Sequence, residues 1–201
     1  MPVPRLENIS SSSLETQHMS SLAQELWDAA WDGDLKRMET CLGRGAGVNA
    51  RPNGSSALEA AAYHGKAEAC EFLLERGADA DACHEPTGET VLHQAITKRD
   101  AERTRIVELL VAAGAEVNRR TVPGVVTQSF ARDIRTRGET PLHRAAAYGD
   151  VEMIRILVSA GADKAARDAH GESPLTWASW HLRENDVLRL LLHGGFEGSL
   201  P

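Results

Sequence analysis

Aromatic residues are scarce: nine stand among 201, or 4% of the chain, as Trp27, Trp31, Tyr63, Phe72, Phe130, Tyr148, Trp177, Trp180 and Phe196. So few rings exclude a single deep aromatic core and leave burial to Ala, Leu and Val, which suits thin repeated layers. Cysteine is equally sparse. Cys41, Cys70 and Cys83 are an odd three, too few for a disulfide framework and in keeping with a reducing compartment. No run approaches the ~18–20 apolar residues of a membrane span, and residues 1–21 lack the apolar stretch of a secretory leader. The sequence therefore predicts a cytoplasmic protein with no membrane segment. Positive charge is short as well: 22 Lys and Arg face 29 Asp and Glu, for a net −7, which argues against nucleic acid or an anionic membrane as the main target. Lys alone numbers four against 18 Arg, and with abundant Ala this usage suggests a high-GC, bacterial genome. A charged fraction of 25% beside 42% hydrophobic residues excludes wholesale disorder.

What is present is periodic. Five blocks begin on Leu26, Leu58, Leu92, Leu142 and Leu175, each Leu followed two or three residues on by Ala. A second apolar run follows each block and closes on Gly45-Ala46, Gly77-Ala78, Gly114-Ala115, Gly161-Ala162 and Gly194-Gly195. The Leu spacings are 32, 34, 50 and 33, so one interval carries an insertion of about 17 residues on a period near 33. Thr or Ser ahead of the apolar pattern caps a helix, and Pro141 and Pro174 fit its first turn because a missing N–H there had no partner. Paired Ala lets helices of neighbouring units approach closely. The closing Gly supplies a left-handed cap, and Asn49 and Asn118 form the turn of a finger leading onward.

Gly138-Glu-Thr-Pro-Leu-His-Arg-Ala-Ala-Ala-Tyr-Gly149 carries the motif T-P-L-H-x-A without a break, with close variants at Thr90-Val-Leu-His93 and Ser173-Pro-Leu-Thr176. In this motif and period the sequence resembles the ankyrin repeat family, over residues 23 to 196. The expected fold is an all-α repeat solenoid of stacked helix-turn-helix units with β-hairpin or turn fingers and one extended finger loop. Repeats are expected near 22–53, 54–86, 87–120, 137–169 and 170–197, with an insertion at 121–136. Residues 1–20 read as a disordered Ser-rich tail, with Met19 as an alternative start. The tryptophans fall in the terminal repeats, where Trp27 and Trp177 suit bulky lids over the end faces. Cys41 and Cys70 take interior positions as small hydrophobes.

Chemistry is weakly represented. Of eight histidines, His93 and His143 hold the motif position that the resemblance assigns to hydrogen bonds between repeats. Cys83-His84 is a pair with no second pair at zinc-site spacing. No nucleophile elbow, phosphate loop, dinucleotide fingerprint or H-E-x-x-H occurs. No catalytic residue, metal or cofactor is expected, and the resemblance implies a module that binds another protein.

The resemblance exposes, on the concave face, the two residues between each paired Ala and the following Gly: Trp31-Asp32, Tyr63-His64, Thr97-Lys98, Ala147-Tyr148 and Trp180-His181. Their aromatics suit a partner site, although Trp31 and Trp180 equally suit caps. Glu89, Glu139 and Glu172 share one register after the finger Gly, with Ser55 in the remaining repeat. They read either as a solubilising face or as an acidic ladder for a basic partner. The insertion adds Phe130, Arg132, Arg135 and Arg137. Across residues 119–137, five Arg against Asp133 give a local +4, leaving −11 elsewhere. A basic loop on an acidic body either straps back over the concave face or projects to dock a partner. A second possibility for that loop is nucleic-acid or phospholigand binding.

Overall fold

A computed structural model describes residues 11–96, 101–127 and 135–193. Among them ten helices run in five antiparallel pairs: α1 (Ser11–Asp32) with α2 (Leu35–Gly43), α3 (Ala57–Tyr63) with α4 (Ala67–Leu74), α5 (Val91–Ala95) with α6 (Ala101–Ala112), α7 (Pro141–Tyr148) with α8 (Val151–Ser159), and α9 (Pro174–Trp180) with α10 (Asn185–His193). Each odd-numbered helix packs on the next odd one, and each even-numbered helix on the next even one. The result is two layers, an inner row and an outer row, the all-α repeat solenoid expected from the period.

Local chemistry starts the inner helices where the sequence places them. Ser56, Thr90, Thr140 and Ser173 are the N-caps. Glu59, His93 and His143, three residues on, each accept from the backbone N–H of the cap residue, so two orphan donors per helix end are satisfied reciprocally. Leu26, Leu58, Leu92 and Leu142 of successive inner helices are buried among the paired alanines, and Cys70, Leu73, Val107, Leu110, Ile154 and Leu157 fill the gap to the outer row. The closing glycines turn left-handed, as at Gly161 with φ +89°.

Ties between repeats are polar. Asn49 donates to the Gly77 carbonyl at 3.1 Å and accepts from Asp79 N–H at 2.8 Å. Asn118 does the same two intervals later, between the third and fourth repeats, with Gly161 and Asp163. These side chains therefore clip forward onto the next repeat, a larger role than forming their own turn. Reaching the other way, Arg103 donates to the carbonyls of Ala62 and Tyr63, and Arg183 to those of Ala145, Ala146 and Gly149. Both arginines are buried and serve the carbonyl ends of the preceding inner helices, where cations are favoured.

Two features differ from expectation. Helix α1 begins at Ser11, so a disordered tail does not extend over residues 11–20; residues 1–10 lie outside the described part. Neither Gly nor Pro occurs between Ser11 and Asp32, and once a helix is nucleated each further residue adds a hydrogen bond at little entropic cost. The second feature is Leu182, at φ +50° the one non-glycine residue with positive φ among the described residues. Its N–H donates to Ser179 as Gly33 donates to Ala30 and Gly65 to Ala62, so it holds the turn position glycine takes in the first two repeats. A left-handed conformation costs an L-residue about 1–2 kcal/mol, and Leu182, 91% exposed, has little packing to offset it. Leu182→Gly is expected to raise the thermal midpoint by about 2–4 °C, read by calorimetry; a fall would show that the leucine stabilises the turn.

Candidate functional site

On the inner row, Trp27 and Trp31 stand one turn apart on α1, so they share a face. Trp27 Nε1 donates to Ser55 Oγ at 2.7 Å, which fixes one indole. The second ring centroid lies 4.9 Å from it, and Trp31 in turn stacks on His64 at 3.6 Å with 40° between planes. Tyr63 meets His64 edge-on at 5.0 Å. The His64 ring is held below its ordinary pKa, first by burial and then by Lys66 and Arg103, so it presents a neutral face to the indole. Trp27, Trp31, Ser55 and Tyr63 border a cleft of about 350 Å³ whose other walls are Glu59, Ala60, His84, Thr87, Glu89, Gln94, Val126 and Thr127, with His64 packed behind Trp31 and outside the lining. Trp31, 40% exposed, forms the rim. Three of the expected site residues, Trp31, Tyr63 and His64, are thus brought together.

Beneath the cleft runs a buried polar layer, and here the acidic ladder needs correction. Glu89 and Glu139 are 3% and 1% exposed, so neither offers a charge to solvent. Arg144, fully buried, donates to Glu89 Oε1 at 2.7 Å, to Glu139 Oε1 at 2.6 Å and to the His93 carbonyl at 3.1 Å. The remaining oxygens are taken by hydroxyls: Thr127 donates to Glu89 at 2.6 Å and Thr121 to Glu139 at 2.7 Å. Against the desolvation that burial imposes, Arg144 and these hydroxyls hold both carboxylates below their usual range, Glu139 at about 2. Shared register gave the correct row but not its depth. Only Glu172 is partly exposed; at the position aligned with Arg144 the last repeat carries Trp177, which donates to Asp168 instead. One carboxylate further along, Glu59 binds Arg51 at 2.7 Å.

Arg144 was not singled out by the sequence pattern. The signal was there: it fills the x of T-P-L-H-x-A, where Gln94, Ala60 and Trp177 stand in other repeats, five residues after Glu139.

His93 and His143 bridge repeats as the resemblance implies, donating through Nε2 to the carbonyls of Glu139 and Glu172 at 3.3 and 3.0 Å. Burial, with the Arg144 charge, pushes His93 down to about 3; burial also lowers His143. At the far end, Tyr148 meets His181 edge-on at 4.7 Å, and the Arg137 guanidinium lies 5.3 Å over Trp180 and 5.7 Å over Trp177 while pairing with Asp168 at 3.4 Å. Trp177 is buried, as a lid should be, whereas Trp180 is 53% exposed.

The described part of the insertion turns inward. Val126 bridges Arg135 as a short antiparallel pair, Val122 N–H donates to the Thr87 carbonyl at 2.8 Å, and Thr127 reaches Glu89. Of its arginines, Arg119 pairs with Glu116, Arg120 donates to the Gly138 carbonyl and Arg135 to that of Gly124. Phe130 and Arg132, like the Thr97-Lys98 pair, lie outside the described residues. Among the described residues, no three His, Cys, Asp or Glu gather as a metal site, and no helix is long and apolar enough to cross a membrane.

A family model for ankyrin repeats (3 copies) matches residues 26–121 and 124–199. The chain is 33% identical over 148 residues to a B-cell lymphoma 3 protein homolog from Mus musculus, covering 74% of this chain and 29% of that protein. It is 30% identical over 196 residues to an ankyrin repeat domain-containing protein, SAT10, from Stachybotrys chartarum, covering 96% of this chain and 9% of the relative. Neurogenic locus notch homolog protein 2 of Homo sapiens is 32% identical over 177 residues, 87% of this chain and 6% of its own length. The chain thus spans less than a third of each of these relatives.

Removing Arg144 as Arg144→Met leaves two carboxylates buried without their cation and is expected to cost about 3–5 kcal/mol in urea unfolding. Glu89→Gln, which leaves Arg144 paired one to one with Glu139, should cost less than half of that; equal losses would show that the layer's charge balance is not what holds it. For pH, the folded values of Glu139 (about 2) and His93 (about 3) lie below the ordinary 4.5 and 6.5. Both groups therefore contribute their full stability above about pH 6.5, and protons bind preferentially to the unfolded chain as pH falls. The histidine share is lost between 6.5 and 3 and the carboxylate share between 4.5 and 2. The thermal midpoint should fall on acidification from pH 6.5, and His93→Gln should flatten the first part of that fall.

Proposed function

Because this chain belongs to the ankyrin repeat family, whose stacks generally mediate protein–protein interaction, we propose that it is a non-catalytic module that holds a partner protein on its concave face. The observation that carries this reading is the cleft between the first two inner helices and the insertion, with Trp31 exposed at its rim and Tyr63 in its wall. Aromatic side chains supply large rigid contact area at low entropic cost, and half-open clefts of this kind seat the anchors of an interface. Tyr148, Trp180 and His181 extend the contact surface toward the last repeat. The insertion contributes through Val126, 56% exposed beside the cleft; Arg135 and Arg137, bonded to the Gly124 carbonyl and to Asp168, shape the second edge of the interface rather than supply free charge to it. The setting is a reducing one, the cytoplasm: Cys41, Cys70 and Cys83 are free thiols, and burial pushes the Cys70 thiol up to about 12, an inert state. Nucleic-acid binding through the insertion has less behind it, since each of its described arginines is already engaged within the chain.

Affinity capture from the native organism, quantified by mass spectrometry, tests the reading. The full chain should enrich a partner that the Trp31→Ala/Tyr63→Ala double variant loses by about tenfold or more, while the variant keeps its thermal midpoint within a few degrees. A partner set unchanged by these substitutions overturns the concave face as the binding surface.

A further inference from the structure

The same cleft has a charge character that narrows what enters it, and the inference rests on the concave-face reading above. Its deep side is formed by Glu59 and Glu89. Glu59 is balanced by Arg51, but Glu89 and Glu139 share the single cation Arg144. Among the described residues, the layer therefore carries one carboxylate in excess of its guanidinium groups. Trp27, Trp31 and Tyr63 line the same space, and the face of an aromatic ring carries the negative end of its quadrupole, so ring and carboxylate favour the same sign of visitor.

We infer that this cleft receives a lysine or arginine side chain presented by an extended segment of the partner protein. The cationic head sits in the field of the layer's surplus negative charge, which low-dielectric surroundings screen weakly, without displacing the bonds the buried carboxylates already make, and the aliphatic stem lies along the rings. An apolar side chain would displace water from above an unbalanced charge and leave that charge poorly solvated. A carboxylate would meet like charge and the wrong face of the rings. Size agrees: at about 350 Å³ the cleft sits at the low end of the roughly 300–1,000 Å³ typical of small-ligand sites, room for one long side chain and its backbone but not for a folded element. The overall charge of −7 steers such a segment inward from a distance.

An array of immobilised nonapeptides, with flanking positions randomised and the central position fixed to each amino acid in turn, tests this with the purified full chain. Capture on central Lys or Arg is expected to exceed capture on Leu, norleucine or Glu by about fivefold or more and to weaken as salt is raised. Trp31→Ala should abolish the preference, Trp31→Phe should keep most of it, and Leu192→Ala, an exposed position on α10 away from the cleft, should leave it unchanged. Preference for an apolar or acidic centre that Trp31→Ala abolishes would overturn the cationic assignment while leaving the concave-face reading intact. Failure to capture any peptide above background would overturn both. Concentration-dependent self-association that blocks capture would place a second copy in the cleft and also overturn the assignment.

Discussion

One guanidinium organises the centre of this stack. Arg144 starts on the inner helix of the fourth repeat, binds the carboxylate that opens its own repeat, and crosses to the carboxylate and a main-chain carbonyl of the third. The two repeats it joins are those separated by the insertion, where the spacing of the solenoid is interrupted in sequence and must be restored in space. Buried ion pairs add little net stability compared with apolar packing, but a wrong spacing here would leave a charge unpaired, a large penalty. The triad therefore acts chiefly as a specification of how far apart and in what register the third and fourth units sit.

The insertion is part of that arrangement and also of the cleft. Thr121 and Thr127 complete the carboxylates that Arg144 only half satisfies, and the chain between them lines up with the preceding finger through Thr87. A segment that in sequence reads as an appendage with a charge of its own thus becomes, over its described residues, a wall. Its neighbour Val126 faces the aromatic rings of the first two repeats across the cleft, so the site combines residues more than 90 positions apart in the chain.

Much of the fold was legible because it depends on local rules repeated several times. The caps at Ser56, Thr90, Thr140 and Ser173, the proline starts and the paired alanines each follow from the chemistry of a few adjacent residues. The histidine bridges were legible through the T-P-L-H-x-A motif. The Trp31–Tyr63 end of the site was also readable, since family register places both on one face. What escaped depends on depth and reach. Glu89 and Glu139 share a register with Glu172, yet depth comes from what stands over them, and the covering hydroxyls arrive from a segment with no repeat to compare. Arg103 and Arg183 look like ordinary surface arginines in a charged chain, because nothing in their neighbours announces carbonyl partners eight to 41 residues away; for Arg144 only the nearby Glu139 was a signal, and its second carboxylate lies 55 residues off. The helical start at Ser11 escaped because Ser-rich composition masks an absence of breakers.

The ties between repeats point in opposite directions along the stack: Asn49 and Asn118 clip to the unit that follows, whereas Arg103 and Arg183 serve the helix ends of the unit that precedes. The second and fourth repeats are thereby finished from both sides by residues they do not encode. The units are consequently not interchangeable parts. An array of this kind cannot be shortened, lengthened or shuffled at repeat boundaries without stranding carbonyls at one junction and buried cations at another, so its inheritance as a working surface is of neighbouring pairs rather than of single repeats.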